Sequence, residues 1–209
     1  MATRRTGLRE QKKQATREAL REAALRLALE RGPDNVRVDD IAEAAGVSPR
    51  TYNNYFSSRE QAIVAAVTTE REARIAAAVA DRPADVRLAD AVIDAIVDQY
   101  TSTEDPRQDA LLLITSTSTL RDAFIHTATA IENPLADAIA QRLGDTDPYI
   151  SRVLAAGVTA AVRVALERWL QPPSTPIAPG GLVVPSGALP ELLRTALASL
   201  APALDAAER

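Results

Sequence analysis

Residues 48–56, SPRTYNNYF, combine polar and aromatic side chains at helical spacing. On a helix at about 100° per residue, Arg50, Asn53 and Asn54 fall on one side. The other side is aromatic and consists of Tyr52, Tyr55 and Phe56. Arginine can pair with guanine, and asparagine with adenine, at the base edges of DNA. The pattern therefore predicts a short helix that is buried on its aromatic side and reads base edges with its polar side.

The residues before this helix predict the turn that would present it. Residues 38–45 have the apolar spacing of a short helix, which Gly46 ends. Ser48 is a favourable N-cap, and Pro49 suits the first helical position, so the second helix begins there. Two short helices joined by a tight turn containing glycine form a helix-turn-helix.

Charge is distributed unevenly along the chain. The 209 residues have a formal net charge of −4, which by itself argues against a nucleic-acid partner. Residues 1–60, however, hold twelve basic and nine acidic residues, a net charge of +3, and the remainder therefore carries −7. We expect a mobile basic arm over residues 1–9, and we expect Lys12 and Lys13 to contact phosphates. The alternative is a solvated basic tail.

The composition excludes several kinds of site. Because there is no cysteine, the chain has no disulfide, thiolate zinc site or cysteine nucleophile. The single histidine, His126, rules out a multi-histidine metal site within one chain. The phosphate-binding motifs GxGxxG and GxxxxGK and the nucleophile motif GxSxG are absent. We therefore expect no catalytic residue, no metal and no cofactor, and a protein that is not an enzyme.

The distribution of apolar residues bears on the compartment. No run of about 18 apolar residues is present, and no apolar segment follows Arg4 and Arg5. The sequence therefore predicts neither a membrane span nor a signal peptide, and we expect a cytoplasmic protein.

Helical periodicity and helix-breaking residues predict an all-α protein of nine or ten helices with no strand. The predicted helices are 10–31, 38–45, 49–56, 58–80, 86–100, 106–116, 120–142 with an interruption at Pro134, 148–170 and 189–200. Residues 172–187 contain five prolines and three glycines and are predicted to be a loop. We divide the chain into a three-helix domain, 1–60, and a larger helical domain, 61–209.

The segments DIAEAAGVS, TYNNYF and SREQAI, within the first 63 or so residues, resemble the DNA-binding domain of the TetR family of bacterial transcriptional regulators. The helix layout of the whole chain is also similar to that of the family. The resemblance implies a homodimer that binds a palindromic operator in double-stranded DNA, usually as a repressor that a small-molecule effector releases. It also implies that residues 61–209 bind the effector and form the dimer.

By this resemblance, the DNA contacts of the recognition helix fall on Ser48, Arg50, Thr51 and Asn54, and the family's Tyr-Phe pair falls on Tyr55 and Phe56. Three positions depart from the family pattern. Asn53 stands where a phosphate-binding tyrosine is common, so that contact is either lost or replaced by base readout. Arg59 replaces the usual lysine at the start of the fourth helix and is expected to keep a phosphate contact. Arg37 replaces a common threonine N-cap; it cannot cap a helix, but it can reach a phosphate.

The second domain offers fewer signals. Candidate effector contacts are Tyr100, Thr115, Thr119, Phe124, His126 and Trp169. The Thr-Ser run that begins at Thr115 supplies hydroxyl groups that could orient a ligand. The alternative for these residues is core packing or, for His126, an exposed position.

Two helices are candidates for the dimer interface. Helix 148–170 has small residues four apart, which allow close approach, and helix 189–200 has leucines at helical spacing. With their symmetry mates these helices would form a four-helix bundle. The predicted interface residues are Val153, Gly157, Ala160, Ala161, Val164, Leu189, Leu193 and Leu197. The alternative is that both helices pack within one protomer.

A second interpretation of the whole chain stays open, on the grounds of its net acidity and of Asn53. It is a helical small-molecule-binding or protein-interaction module whose helix-turn-helix is vestigial.

Overall fold

The structure is a computed structural model that describes residues 2–101, 113–115, 117–144, 147–170 and 188–208. Every regular element in these ranges is helical, which confirms the all-α prediction. The α-helices are α1 (Ala2–Arg31), α2 (Val38–Ala44), α3 (Pro49–Tyr52), α4 (Arg59–Ala80), α5 (Leu88–Thr101), α6 (Ser118–Thr127), α7 (Glu132–Leu143), α8 (Pro148–Leu170), α9 (Leu189–Ala198) and α10 (Ala201–Ala207). Short 3-10 helices cover Pro33–Asn35 and Ala128–Ile131.

The chain forms two compact units. The first comprises Met1–Val67 and Asp109–Ala123, and the second comprises Thr68–Gln108 and Phe124–Arg209. The division lies inside α4, whereas the sequence suggested one boundary after residue 60. No linear pattern marks 109–123 as part of the first unit, because membership in a unit depends on contacts between residues that are distant in sequence.

In the first unit, α1 packs against α2, and α2 packs against α3. The side chains of Leu20, Ile41 and Tyr52 lie in its core with no exposed surface. Helix α1 begins at Ala2, so residues 2–9, which were expected to precede the helix as a mobile arm, are helical. The residues before Glu10 contain no proline to stop a helix, so α1 continues through them. Gly32, with φ of +79°, ends the helix as predicted.

In the second unit, α8 packs against α7 and α9, and α5 packs against α9 and α10. Val158, Val162 and Leu166 recur every four residues along α8 and are fully buried or nearly so. Among the described residues, α8 is the one helix whose length and composition would allow it to cross a membrane. Within this fold it serves as a core helix, because its inward side is covered by its neighbours.

Two helix boundaries differ from the predictions. The segment 120–142 is split as predicted, but the break lies at Ala128–Ile131, and Pro134 occupies the first turn of α7, where its missing N–H is tolerated. Helix α10 was not predicted; it begins beyond residue 200, with Pro202 near its start. The predicted loop 172–187 and most of the predicted helix 106–116 lie outside the described residues.

Arg142 on α7 and Glu208, directly after α10, both make polar contacts with the segment that leads into α5. The guanidinium of Arg142 donates to the carbonyl oxygens of Arg82 at 2.8 Å and Val86 at 2.7 Å, and it lies 3.6 Å from Glu208. The other carboxylate oxygen of Glu208 accepts from the backbone N–H of Leu88 at 2.9 Å. The side chain of Arg142 is 7% exposed, so these contacts replace most of its water.

Candidate nucleic-acid interface and effector cavity

The turn between α2 and α3 depends on Gly46. Its φ of +68° is a conformation that other residues adopt at a cost, and a side chain added there would meet no atom within 4 Å. The requirement for glycine is therefore conformational rather than steric. The turn is held by the N–H of Val47, which donates to the carbonyl of Ala42 at 2.9 Å.

The start of α3 is capped as predicted. The Oγ atom of Ser48 accepts a hydrogen bond from the backbone N–H of Thr51 at 3.1 Å, and the two hydroxyl oxygens are 2.9 Å apart. The α-helix ends at Tyr52, earlier than the predicted residue 56, and the chain continues in tight turns. In these turns the N–H of Tyr55 donates to the carbonyl of Tyr52 at 2.8 Å. Asparagine favours turns over helix interiors, and residues 53 and 54 are both asparagine.

The two faces predicted for this segment are present in the structure. Tyr52 is fully buried and Phe56 is 4% exposed, with ring centroids 5.8 Å apart, whereas Tyr55 is only half-buried. The Tyr52 hydroxyl donates to the carbonyl of Ser58 at 2.8 Å, and burial, followed by the charge of Glu60, raises the pKa of Tyr52. The exposed residues of the opposite face are Arg50, Asn53 and Asn54.

The other residues predicted to contact DNA also belong to the first unit. Lys12 and Lys13 are exposed on α1, and Arg37 is exposed at the N-cap of α2. The side chain of Arg37 offers no acceptor to the helix, as predicted, but its backbone N–H donates to Asp40 Oδ2 at 3.0 Å. The Asp40 carboxylate therefore bonds back to the backbone of the N-cap residue of α2, and the Arg37 side chain is exposed.

Arg59 has a different position from the one its sequence suggests. Its Nη1 atom donates to the carbonyl oxygens of Asp34 at 3.0 Å and Val36 at 2.9 Å. Its Nε atom donates to Glu60 Oε1 at 2.6 Å. These contacts give Arg59 a positioning role in this structure, and because its side chain is 29% exposed, the phosphate contact expected of it stays a prediction. Arg59 fastens the first turn of α4 to the segment that precedes α2.

The same contacts shift the ionisation of Glu60. Burial acts to raise the pKa of Glu60, but the hydrogen bond from Arg59, the backbone N–H, the charge of Arg59 and the Ser58 hydroxyl together outweigh it. The pKa of Glu60 is therefore lowered, and the carboxylate stays ionised beside the guanidinium.

In the second unit, two of the predicted effector residues meet around a buried arginine. The guanidinium carbon of Arg71 lies 4.9 Å from the ring centroid of Tyr100 and 6.0 Å from that of Phe124. Arg71 is only 3% exposed. A void of about 10 Å³ adjoins this cluster and is lined by Thr68, Arg71, Glu72, Ile75, Tyr100, Phe124, Ala128 and Ile131. Burial raises the pKa of Tyr100 to about 12, against the nearby charge of Arg71, so its phenol is neutral at pH 7.

The remaining effector candidates lie elsewhere. Thr115 and Thr119 belong to the first unit, His126 is exposed, and Trp169 is half-buried without lining the void. Arg71 was not among the residues predicted to lie beside a cavity, although the sequence contains a sign of its burial. Ile75 and Val79 follow Arg71 at intervals of four residues, so Arg71 is a charge within an apolar helix stripe.

The predicted interface residues separate into two groups. Val153 and Val164 on α8 are each 51% exposed, Ala160 is exposed, and Gly157 and Ala161 are half-buried. By contrast, Leu193 and Leu197 have no exposed surface and Leu189 is 9% exposed, because α9 packs on α8 and α5 of its own protomer. The expectation that these leucines contact a partner is therefore revised: they form the core of the protomer. The neighbouring Tyr149 and Ile150 add to the exposed apolar surface of α8.

Comparison with known families agrees with this arrangement. Residues 20–67 match the sequence profile of the bacterial regulatory proteins of the tetR family, and residues 83–205 match that of the MftR C-terminal domain. The chain is 30% identical over 174 residues to the HTH-type transcriptional regulator TcmR of Streptomyces glaucescens. This alignment covers 78% of the present chain and 76% of TcmR.

Two solved structures match the chain at lower identity. FadR of Thermus thermophilus, a TetR family transcriptional repressor solved in complex with lauroyl-CoA, is 21% identical with a TM-score of 0.49; the match covers 89% of this chain and 93% of FadR. A TetR-family transcriptional regulator of Rhodococcus sp. is 24% identical with a TM-score of 0.41, and the match covers 94% and 100% of the two chains. The two profiles and the TcmR match show that this chain is a transcriptional regulator of the TetR family.

Proposed function

We propose that the protein is a repressor that binds a palindromic operator as a homodimer and leaves it when a small-molecule effector binds. The observation that carries this proposal is the exposed polar face of the helix-turn-helix, where Arg50, Asn53 and Asn54 lie opposite two buried aromatic rings. Arginine and asparagine are the side chains best suited to guanine and adenine edges. On this proposal the chain works in the cytoplasm and is not an enzyme.

The DNA-contacting surface extends beyond these three side chains. Exposed Lys12 and Lys13 on α1 and exposed Arg37 before α2 supply positive charge for phosphates, with Ser48, Thr51 and Tyr55 around the recognition helix. Phosphate contacts fix orientation, whereas base contacts fix sequence. Affinity for any DNA should therefore fall with salt, and discrimination between sequences should depend on Arg50, Asn53 and Asn54.

The exposed apolar side of α8 supports the homodimer. Val153 and Val164 are half exposed, and the small residues Gly157, Ala160 and Ala161 between them allow another helix to approach closely. A two-fold interface buries the same patch on both partners, so one exposed helix suffices for it. A dimer in turn presents two recognition helices to two half-sites.

Selection of bound duplexes from a random library tests the function directly. The expected product is an inverted repeat with half-sites about one helical turn or a small multiple apart. Light scattering should give twice the 22.3 kDa chain mass, and transcription from a promoter that overlaps the selected site should fall when the protein is added. A scrambled duplex at the same salt concentration is the control. Enrichment of an unrepeated site, or activated transcription, would contradict the proposal.

A further inference from the structure

Three basic side chains form a row along α1. Arg9, Lys13 and Arg17 follow one another at intervals of four residues, and all three are exposed. On a helix at about 100° per residue they fall within a sector of about 80°. Four residues of helix rise by about 6 Å, which is close to the distance between neighbouring phosphate groups on one strand of DNA. The whole row precedes residue 20, where the match with the tetR family profile begins, so the family comparison assigns it no role.

The recognition segment, residues 48–56, fixes one end of this row. The guanidinium carbon of Arg17 lies 5.8 Å from the ring centroid of Phe56, and Phe56 is 4% exposed. A guanidinium can stack on an aromatic ring with one face while the N–H groups on its edge stay available as donors. Among the described residues, the Arg17 side chain has no hydrogen bond and no ion pair. Arg17 therefore presents unused donors beside the end of the recognition segment.

The next basic residue at the same spacing has a different environment. Arg21 follows Arg17 by four residues, but it is 4% exposed and pairs with Glu18. Leu20, its neighbour in sequence, lies in the core of the first unit with no exposed surface. The spacing thus continues into the core with an arginine that is buried and paired, whereas the three residues of the row are exposed to solvent.

We propose that Arg9, Lys13 and Arg17 bind consecutive phosphates of one DNA strand, with Arg17 as the fixed end of the row. The inference rests on the proposed function and adds to it a defined register of α1 on the DNA backbone. A cation that neutralises a phosphate releases counterions, so the row contributes affinity without selecting a sequence. Because the helix holds the three charges together, they act as one surface rather than as a solvated tail.

Two other charged residues near the row have predictable effects. Lys12 lies about 100° around the helix from Lys13, outside the row, and should contribute less to binding. Glu10 is exposed and lies within about 20° of the direction of Arg17, so its carboxylate faces the same phosphates. The negative charge of Glu10 should therefore oppose binding, and Glu10→Gln should tighten binding to any duplex.

Salt dependence on a random-sequence duplex tests the row in the full-length protein. The slope of log Kd against log salt is measured between about 50 and 200 mM salt, and each phosphate contact contributes about 0.9 to it. Lys13→Gln or Arg17→Gln should each reduce the slope by about 1.8 per dimer, and the triple variant that also carries Arg9→Gln should reduce it by about 5. Circular dichroism checks that α1 stays helical in each variant.

Matched controls separate the row from a diffuse basic tail. Lys12→Gln removes the same charge as Lys13→Gln one residue away, and it should reduce the slope by less than half as much. Arg26 is 54% exposed on the opposite side of α1 from Arg17, and Arg26→Gln should leave the slope unchanged. Equal reductions for Lys12→Gln and Lys13→Gln would overturn the row, because a solvated tail responds to total charge alone.

Uncharged phosphates locate the contacts on the selected operator. Replacing one phosphate at a time with a methylphosphonate should weaken binding at three consecutive positions of one strand in each half-site. The phosphate bound by Arg17 is the one whose replacement no longer weakens binding of Arg17→Gln, and the phosphate assigned to Lys13 in the same way should be its neighbour. Assignments to phosphates that are not adjacent, or to none, would overturn the inference.

These measurements also distinguish the row from the proposed function. Reduced salt slopes of the row variants on random-sequence DNA uphold the row even if selection returns no inverted repeat, a result that would contradict the proposed function alone. If the triple variant binds a selected inverted repeat with the salt slope of the unaltered protein, the proposed function stands and the row is overturned. Absence of DNA binding at low salt contradicts both.

Discussion

The Nη1 atom of Arg59 lies 2.9 Å from the carbonyl oxygen of Val36, across 23 residues of sequence. The same atom lies 3.0 Å from the carbonyl oxygen of Asp34. These contacts join the first turn of α4 to the segment that leads into α2, and they therefore fix where the helix-turn-helix begins. Because arginine at this position stands in for the lysine of the family pattern, its role can be tested by lysine itself.

Replacing Arg59 with lysine is expected to destabilise the protein by about 1 kcal/mol, and Arg59→Gln by about 1–2 kcal/mol. One ammonium group cannot span two carbonyls and Glu60 as the guanidinium fork does. Urea unfolding measures the change, and Arg26→Met serves as the control because Arg26 is 54% exposed and forms its ion pair with Glu30 on its own helix. A lysine variant with full stability and full DNA affinity would instead indicate a phosphate contact.

The combined change Arg50→Ala and Asn54→Ala should remove sequence preference while leaving binding to random DNA nearly intact. Each lost base contact is worth about 1–3 kcal/mol of discrimination. Both side chains are exposed, so the fold should persist. Anisotropy titrations with operator and scrambled duplexes give the ratio of the two dissociation constants. The matched comparison is the double variant Lys12→Ala and Lys13→Ala. The lysine pair should weaken binding to both duplexes alike and reduce the salt dependence.

The lowered pKa of Glu60 predicts that the stability of the fold decreases in acid. Its pKa in the folded protein lies below the ordinary value of 4.5, so its ionised form stabilises the fold above that value, and the contribution is lost as pH falls through the folded pKa. Glu60→Gln should therefore lower the Tm at pH 7, and the difference from the unaltered protein should shrink below about pH 4.5. A Tm difference that is constant from pH 7 to pH 3 would mean that the charge of Glu60 contributes nothing.

Val153→Glu on α8 should convert the dimer into a monomer of 22.3 kDa without loss of helical circular dichroism. The side chain is 51% exposed in the protomer, so the charge disturbs only a partner that covers it. Leu193→Glu is the contrasting change; because Leu193 is fully buried, it should unfold the chain. Light scattering of Val153→Glu that still reports a dimer would place the interface away from this side of α8.

Arg142→Met should cost about 2–4 kcal/mol of stability, because it leaves the carbonyl groups of Arg82 and Val86 without their donor and removes a nearly buried cation from Glu208. The matched control is Arg87→Met, whose side chain is 63% exposed although it also bonds to an acidic residue of α10. Guanidinium unfolding should show a change for Arg87→Met several times smaller. Similar losses for the two variants would indicate that burial of Arg142 is unimportant.

Local chemistry in the sequence determined most of the helices and the helix-turn-helix. Helix α8 has the bounds that were predicted, because proline favours the first position of a helix and Pro148 therefore marks its start. The turn at Gly46 and the cap at Ser48 follow from the same short-range rules, and the separation of Arg50 from Tyr52 follows from helical geometry. Family membership also followed from these contiguous motifs.

Only the tertiary structure decided which side chains that are far apart in the sequence contact one another. Leucines 193 and 197 have the apolar spacing of an interface as much as of a core, and their burial against α8 and α5 resolves the choice. The bonds of Arg59 to the carbonyls of Asp34 and Val36 join residues that no local pattern brings together. The same is true of the approach of Arg71 to the rings of Tyr100 and Phe124. The physical reason is common to all of these residues. Helical periodicity is set by neighbours in sequence, whereas burial and the pairing of charges depend on which helices pack together.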